Sequence, residues 1–169
     1  GLYGQPTTIN NVETLAYVPF IMAMGGNHWA ALGREGCPGT KIFSLSGDVV
    51  FPGNYEVPLG ISFAELLALA GGVKGGRKVK AGIPGVLRGE TMLRLNMDYD
   101  SIAKAGSMLG TGGVIVLDET RCMVKSLLNL SRFYQNESCG QCTPCREGTG
   151  WLVKLIERIE RGYGKPDDL

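Results

Sequence analysis

Apolar residues near the start of the chain recur at helical spacing. They lie on one face of a helix, and an asparagine at position 10 or 11 can cap the first turn. The apolar positions are Val12, Leu15, Ala16 and Phe20. We therefore predict a helix that ends at the glycine pair 25–26. Residues 34–39 contain two glycines and a proline, which is typical of a linker or exposed loop.

Between residues 40 and 60 the pattern changes to the short apolar runs of strands, separated by Ser-Gly-Asp and Pro-Gly-Asn turns. The predicted strands cover residues 42–45, 49–51 and 55–57. Ser62 and Glu65 then have the spacing of a capping box, which predicts a helix. Returning strands are predicted at residues 79–83 and 92–95. This order over about 55 residues is typical of a small β-grasp-like α+β unit.

After residue 98 the pattern becomes mostly helical. A short helix is predicted at residues 101–105, and the apolar run 114–117 predicts one buried strand. Two amphipathic helices follow and flank a group of three cysteines. The apolar stripe of the first contains Met123, Val124, Leu127, Leu128, Leu130 and Tyr134, and that of the second contains Trp151, Leu152, Leu155, Ile156 and Ile159. Thr143, followed by a proline, is a good cap for the second helix.

These patterns predict an α+β chain in three parts. Residues 1–38 form a helical segment and a linker, residues 39–96 form the β-grasp-like domain, and residues 97–169 form a mainly helical segment around the cysteines. A length of 169 residues suffices for one to one and a half domains. Because the chain begins with glycine rather than methionine, we expect it to be a piece of a longer polypeptide.

Charge and hydrophobicity exclude several classes of protein. The chain has 17 basic and 16 acidic residues and a net charge of +1, so no nucleic-acid binding is expected from its overall charge. A hydrophobic content of 44% is typical of a folded protein. The longest apolar run, Leu15 to Met24, contains a proline and is half of the roughly 20 residues that a membrane span needs. We expect neither membrane insertion nor a signal peptide.

The cysteines carry the strongest chemical signal in the sequence. Cys139, Cys142 and Cys145 form a C-x2-C-x2-C motif, and thiolates at this spacing can hold three irons of a [4Fe–4S] cluster. Gly140 lets the backbone wrap closely, and a helix that begins near Cys145 favours a thiolate and an anionic cluster. A zinc site needs four ligands and usually contains two C-x2-C pairs or histidines. The motif therefore favours an iron–sulfur cluster over zinc.

A convincing fourth ligand is not present in the sequence. The position that would complete a bacterial ferredoxin motif is Thr149. Cys37 and Cys122 are interpreted as ordinary thiols, and His28 as a packing or surface residue. We therefore expect the fourth cysteine to lie beyond Leu169.

No residue of the chain is predicted to be a catalytic acid, base or nucleophile. The glycine-rich residues 71–78 lack the Gly-Lys-Ser/Thr ending of a phosphate-binding P-loop, and they follow a helix instead of preceding one. A complete dinucleotide-binding glycine motif is missing as well. No serine or cysteine has a plausible histidine base, so the sequence gives little support to a hydrolase.

The cysteine motif and its surroundings resemble a known family. Residues 133–148, FYQNESCGQCTPCREG, are similar to the iron–sulfur segment of the NADH-binding flavoprotein of respiratory complex I, which is the 51-kDa-type (F-type) subunit. Residues 1–14 resemble the end of its flavin-binding domain, and residues 39–95 resemble its soluble-ligand-binding (SLBB) β-grasp domain. The resemblance covers essentially the whole chain in order. Subunits of NAD-linked hydrogenases and formate dehydrogenases share this plan.

The resemblance implies electron transfer from NADH through FMN and a [4Fe–4S] cluster toward quinone, as part of an NADH-quinone oxidoreductase. It identifies Cys139, Cys142 and Cys145 as three cluster ligands, with the fourth outside this chain. It also places Asn10 and Asn11 near the FMN, where side-chain amides can bind the polar chain of the flavin. Because the glycine-rich NADH and FMN segments are absent from the sequence, the chain alone is not expected to oxidise NADH.

The resemblance further implies partners and a location. The partners are other peripheral-arm subunits, namely the 24-kDa-type and 75-kDa-type iron–sulfur subunits. The location is the cytoplasmic face of the bacterial inner membrane, or the matrix side in mitochondria. The alternative function is a non-catalytic docking or ligand-binding module with idle cysteines. Residues 41–95 show neither an acidic cluster nor an aromatic cage, so we expect the β-grasp domain to be a docking element.

Overall fold

The structure is a computed structural model that describes residues 1–83, 87–88 and 90–168. The chain divides into two units, Gly1–Asp118 and Glu119–Leu169. Residues 84–86 and 89 of the predicted β-grasp domain, and the last residue of the predicted helical segment, lie outside the described residues.

Seven helices and seven strands are found in the described residues. The helices are α1 Val12–Met24, α2 Gly26–Ala30, α3 Phe63–Leu69, α4 Glu90–Leu93, α5 Tyr99–Lys104, α6 Met123–Glu137 and α7 Thr143–Glu160. The strands are β1 Gly33–Arg34, β2 Cys37–Pro38, β3 Thr40–Gly47, β4 Gly53–Pro58, β5 Val79–Ile83, β6 Leu87–Arg88 and β7 Gly113–Asp118. The predicted α+β class is confirmed.

A five-stranded mixed sheet is the centre of the first unit. The order across the sheet is β4-β3-β7-β5-β6, in which β7 runs parallel to β3 and antiparallel to β5. Alternate residues of β3, among them Phe43 and Leu45, are buried. They pack with Phe63 and Leu66 of α3, so the hydrophobic core lies between the sheet and this helix. This arrangement of hairpin, helix and inserted last strand is β-grasp-like.

The ends of α3 and α1 follow the sequence signals. The amide of Glu65 donates to the Ser62 hydroxyl at 3.2 Å, and the Glu65 carboxylate accepts from the Ser62 amide at 3.0 Å, which confirms the capping box. Gly25 ends α1 at a φ of +88°. The start of α3 and the end of α1 therefore agree with the pattern.

The sheet extends past residue 96, where the sequence analysis placed the end of the β-grasp-like domain. Its middle strand is β7, which comes from the segment predicted to be mainly helical. The buried strand predicted at 114–117 does form, and Val114 and Val116 are in the core. The difference arises because parallel pairing joins distant parts of the chain, and an apolar run does not reveal its partner strand.

Two of the predicted strands do not form. Residues 92–95 lie at the end of α4 and directly after it, and they form no strand. Met92 is buried against Gly82, where an added Cβ on the glycine would lie 2.6 Å from the methionine sulfur. Residues 49–51 form no strand of the sheet, and Val49 makes an isolated bridge to Val73. A short apolar run satisfies a strand, a buried turn or a short helix equally well, which explains both errors.

The second unit is a hairpin of two helices. α6 and α7 pack through Leu128, Val153 and Ile156, all of which are buried. Arg132 of α6 pairs with Glu157 of α7 across the hairpin. A five-residue turn, 138–142, joins the helices and contains the first two cysteines of the motif. Among the described helices, none has the length and apolar character to cross a membrane.

Candidate metal centre

The three motif cysteines lie at the tip of the helical hairpin. Cys139 is in the turn after α6, Cys142 is the residue that caps α7, and Cys145 is in the first turn of α7. All three are exposed free thiols. The backbone amide of Cys145 donates to the Cys142 carbonyl at 3.1 Å, which fixes the spacing between these two residues. The structure thus places the predicted ligands together in residues 138–145, which comprise the connecting turn and the first turn of α7 and are called the turn below.

Local hydrogen bonds fix the shape of this turn. Gly140 has a φ of +71°, a conformation that other residues rarely adopt. The guanidinium of Arg146 reaches back from α7 and donates to the Gly140 carbonyl at 3.1 Å and to the Thr143 hydroxyl at 3.4 Å. On the next turn of the helix, the Thr149 hydroxyl donates to the Cys145 carbonyl at 2.7 Å. The turn is therefore tied to the helix that carries Cys145.

One side chain of the turn contacts a cysteine sulfur directly. The Oγ of Ser138 lies 3.2 Å from the Sγ of Cys145. The same Oγ accepts a hydrogen bond from the Gly140 amide at 3.3 Å. Ser138 is half-buried and is the residue that follows the last turn of α6. The sequence analysis did not predict this contact, because it depends on how the turn folds back between two helices.

The donor set fits an iron–sulfur cluster better than a single metal ion. Among the described residues, the potential metal ligands whose donor atoms all lie within 4.8 Å of one another are Cys37, Asp98 and Asp100. The Sγ atoms of the three motif cysteines do not meet this distance, so they lie further apart. A single tetrahedral zinc with bonds of about 2.3 Å would need four ligands close together. An iron–sulfur cluster takes one thiolate at each of several irons. The start of α7 supplies partial positive charge beside the turn, which suits an anionic cluster, whereas the charge of Arg146 is paired with Glu147 at 3.1 Å.

The two asparagines that the resemblance places near FMN lie at the start of α1. Asn11 caps this helix, since its Oδ1 accepts a hydrogen bond from the Glu13 amide at 2.8 Å. Asn10 precedes it, and both residues are exposed. Of the two caps that the sequence allowed, the structure selects Asn11. Binding of the flavin by these amides stays a prediction.

A charged cluster that the sequence analysis missed lies in the first turn of the same helix. The Glu13 carboxylate accepts hydrogen bonds from Lys41 Nζ at 2.9 Å, the Ile42 amide at 2.9 Å and the Tyr17 hydroxyl at 3.1 Å. Burial raises the pKa of Glu13, but these hydrogen bonds and the Lys41 charge outweigh it and hold the pKa below its usual value. Lys41 is buried, and this carboxylate is the charged partner of its ammonium group. The cluster ties α1 to the sheet.

An open cleft of 590 Å³ lies beside the Glu13 cluster. Its walls include Tyr17, Phe20 and Trp29, and the rings of Tyr17 and Trp29 are in contact with centroids 4.5 Å apart. The carboxylate of Glu56 also lines the cleft and accepts from the Thr40 hydroxyl at 2.7 Å. The lining residues are spread along the chain from α1 to β4, so no local sequence motif signals this cleft.

We predict that Glu13→Gln lowers the free energy of unfolding by about 2–3 kcal/mol at neutral pH, because the buried Lys41 ammonium loses its charged partner. The lowered pKa gives the sign of the pH dependence. The contribution is complete above the ordinary glutamate pKa of 4.5 and is lost as the pH falls through the lower folded-state value. Thermal unfolding followed by circular dichroism at pH 7 and at about pH 3 measures both effects.

Glu56→Gln is the matched control for Glu13→Gln. Glu56 is exposed, and its carboxylate accepts a single hydrogen bond, from Thr40, among the described contacts. We expect a change of at most roughly 0.5 kcal/mol for it. Equal effects of the two substitutions, or a Glu13 effect that does not shrink in acid, would contradict the role given to Glu13.

A second group of potential metal ligands is better explained by structure than by metal binding. Donor atoms of Cys37, Asp98 and Asp100 lie within 4.8 Å of one another. However, Arg34 pairs with Asp98 at 3.1 Å and with Asp100 at 3.6 Å. Asp98 also caps α5 by accepting from the Ser101 amide at 2.8 Å. Arg34 thus compensates the negative charges of both carboxylates, and Cys37 is part of the hydrophobic core.

Two parts of the chain match described protein families. Residues 125–169 match the "NADH-ubiquinone oxidoreductase-F iron-sulfur binding region". This match contains all three cysteines of the turn and nearly all of α6 and α7. Residues 42–92 match the SLBB domain, which covers most of the sheet except β7.

Relatives of the chain are similar over its whole length. It is 51% identical to an F-type subunit of the NADH-quinone oxidoreductase of Rhizobium meliloti, covering 100% of the chain and 41% of that protein. It is 49% identical to the F-type subunit of the NADH-quinone oxidoreductase of Mycobacterium bovis, covering 100% of the chain and 39% of that protein. The chain therefore spans about two fifths of the length of these curated relatives.

A solved structure is similar to the chain as well. The air-oxidized NAD+-reducing [NiFe]-hydrogenase contains a polypeptide that matches with a TM-score of 0.83 at 35% identity. The match covers 100% of this chain and 29% of that one. The likeness thus includes the fold and not only the cysteine motif.

Proposed function

Because the chain belongs to the family of F-type subunits of NADH-quinone oxidoreductases, we propose that it is the part of such a subunit that holds a [4Fe–4S] cluster. In this function the complete subunit would take electrons from NADH through FMN, and a cluster held by these cysteines would supply a one-electron carrier on the way to quinone. The observation that carries the proposal is the set of three exposed thiols on one turn inside the matched iron–sulfur region.

The residues of the turn have separate parts in this function. Cys139, Cys142 and Cys145 hold three irons, and the fourth ligand comes from outside this chain. The N-terminal end of α7, with its partial positive charge, stabilises the negative charge of the site. Arg146 keeps the turn closed through the Gly140 carbonyl. When bound, the cluster supplies a one-electron carrier whose potential depends on the hydrogen bonds and charges around it.

The first unit has a different part in the proposal. Asn10 and Asn11 contact the FMN of the complete subunit, and the Glu13–Lys41 pair holds the helix that carries them against the sheet. The β-grasp-like domain docks the subunit to its neighbours in the peripheral arm, the 24-kDa-type and 75-kDa-type iron–sulfur subunits. The assembly lies at the cytoplasmic face of a bacterial inner membrane, or at the matrix side in mitochondria.

A second candidate is the equivalent subunit of an NAD-linked hydrogenase. The likeness to the NAD+-reducing [NiFe]-hydrogenase at 35% identity favours it. The 51% identity to a quinone-linked subunit favours the first candidate. The proteins that copurify with the tagged complete subunit separate the two, because one candidate requires nickel–iron partners and the other requires membrane-bound quinone-reducing partners. If the complete subunit copurifies with neither group and with no other redox protein, the remaining candidate is the non-catalytic docking module.

The proposal is tested by comparing two reactions of the complete, assembled oxidoreductase. One is NADH oxidation with an artificial acceptor that takes electrons from the flavin, and the other is NADH oxidation with quinone. We expect Cys145→Ser to retain the first reaction and to lose at least about 90% of the second, a barrier increase of roughly 1.4 kcal/mol or more. Full quinone reduction by this variant would contradict the proposal.

A further inference from the structure

We propose that the Ser138 hydroxyl donates a hydrogen bond to the Cys145 sulfur and thereby raises the reduction potential of the cluster. This inference rests on the proposed function, because it assigns a tuning role to a residue that is not a ligand. It makes Ser138 a positioning residue of the cluster site.

The geometry supports a direct contact between the two side chains. Ser138 Oγ and Cys145 Sγ are 3.2 Å apart, although seven residues separate them in the sequence. Ser138 stands at the end of α6, and Cys145 is in the first turn of α7. The hydroxyl therefore bridges the two helices of the hairpin at the turn that carries the ligands.

The direction of the hydrogen bond follows from the other partner of Ser138. The Gly140 amide donates to the Ser138 oxygen at 3.3 Å. The oxygen acts as acceptor in that bond, so the hydroxyl proton is available for the sulfur. A cysteine bound to iron is a thiolate without a proton, so it can only accept. The chain of donors thus runs from the Gly140 amide through Ser138 to Cys145.

A second hydrogen bond, from Arg146, also holds Gly140 in place. Arg146 donates to the Gly140 carbonyl at 3.1 Å, so Gly140 is bound at both its amide and its carbonyl. Gly140 also has a φ of +71°, which favours glycine at this position of the turn. The orientation of the hydroxyl is therefore built into the fold of the turn before any cluster is bound.

The effect on the potential has a definite sign. One-electron reduction adds negative charge to the cluster and to its thiolate sulfurs. A hydrogen bond to a sulfur becomes stronger as the sulfur becomes more negative, and it therefore stabilises the reduced state more than the oxidised state. Hydrogen bonds to the sulfurs are among the factors that set iron–sulfur potentials. Loss of the Ser138 hydroxyl must then lower the reduction potential.

The test is a redox titration of the complete subunit with its cluster, followed by low-temperature electron paramagnetic resonance. Ser138→Ala and Ser138→Gly both remove the hydroxyl, and Ser138→Thr keeps it. We expect the equilibrium constant for one-electron reduction to fall three- to tenfold in the first two variants, where tenfold corresponds to about 59 mV. The threonine variant should stay within about twofold of the unsubstituted protein. Ser138 has an ordinary extended backbone, so two hydroxyl-free variants are compatible with the fold.

A matched control and a second spectroscopic measurement complete the test. Ser126 is a serine within α6, and its hydroxyl donates to the Cys122 carbonyl at 3.0 Å. Ser126→Ala should leave the potential unchanged. Electron–nuclear double resonance of the reduced cluster, before and after exchange into heavy water, should show one coupled exchangeable proton fewer in Ser138→Ala and Ser138→Gly.

The outcomes separate this inference from the proposed function. If a cluster is present but its potential and its exchangeable protons are the same in the hydroxyl-free variants, the inference is wrong and the proposed function stands. If the unsubstituted complete subunit binds no iron and sulfide, the proposed function fails and the inference fails with it. A lowered potential in Ser126→Ala of the same size would also overturn the inference.

Discussion

Cys142→Ser is expected to remove the iron–sulfur cluster from the complete subunit, with iron and acid-labile sulfide falling below about one tenth of their normal content. The substitution replaces the central thiolate of the C-x2-C-x2-C motif with a hydroxyl, and iron–sulfur clusters are held by thiolates. Cys142 also caps α7 without a side-chain hydrogen bond. Serine is a preferred residue at this position, so the helix itself should not lose stability.

The chain offers a closely matched control at Cys122. This residue caps α6, is exposed, and like Cys142 makes no side-chain capping hydrogen bond. Cys122→Ser therefore makes the same chemical change at the same kind of position, outside the motif. We expect full iron and sulfide content for it and unchanged helical circular dichroism for both variants. Equal cluster content in the two variants would show that the motif is not the binding site.

Gly47→Ala is expected to lower the free energy of unfolding of the first unit by roughly 3–5 kcal/mol. Gly47 has a φ of +87°, which is strained for alanine. A Cβ there would also lie 2.2 Å from the Val116 carbonyl oxygen. That oxygen accepts the Asp48 amide at 2.9 Å, so the clash falls on the pairing between β3 and β7.

Gly72→Ala separates backbone strain from this clash. Gly72 has a similar φ of +79°, but a Cβ there would meet no atom within 4 Å. We expect it to cost about 1 kcal/mol, from backbone strain alone. Urea unfolding followed by tryptophan fluorescence measures both variants. A Gly47 effect no larger than the Gly72 effect would contradict the parallel pairing of β3 with β7 at this residue.

The sequence analysis predicted best those elements whose signals are local. The capping box of Ser62 and Glu65 lies within α3, and each apolar stripe around the cysteines lies within one helix, so these helices could be predicted from local signals. The stripes did not show which residues are buried, since Ile156 is buried while Trp151 and Leu152 are exposed. The proline at 144 also predicted the start of α7, but the predicted cap was wrong: the helix is capped by Cys142, and Thr143 already lies in its first turn. These local rules located the candidate site.

The features that could not be predicted depend on contacts between distant residues. The position of β7 in the middle of the sheet requires pairing with β3 and β5, which an apolar run does not specify. The same holds for the bond between Glu13 and Lys41, 28 residues apart. The contact of Ser138 with Cys145 depends on the dihedral angles of a turn that contains Gly140. Each of these needs the folded geometry and not only residue type and spacing.

The central claim is that the turn at residues 139–145 holds a [4Fe–4S] cluster in the complete subunit. Mössbauer spectroscopy of the anaerobically purified subunit, labelled with iron-57, tests it most directly, with Cys142→Ser and Cys122→Ser beside it. We expect the quadrupole doublets of a four-iron cluster in the unsubstituted protein and in Cys122→Ser, and their loss in Cys142→Ser. Bound zinc in place of iron, or a four-iron cluster that persists in Cys142→Ser, would contradict it.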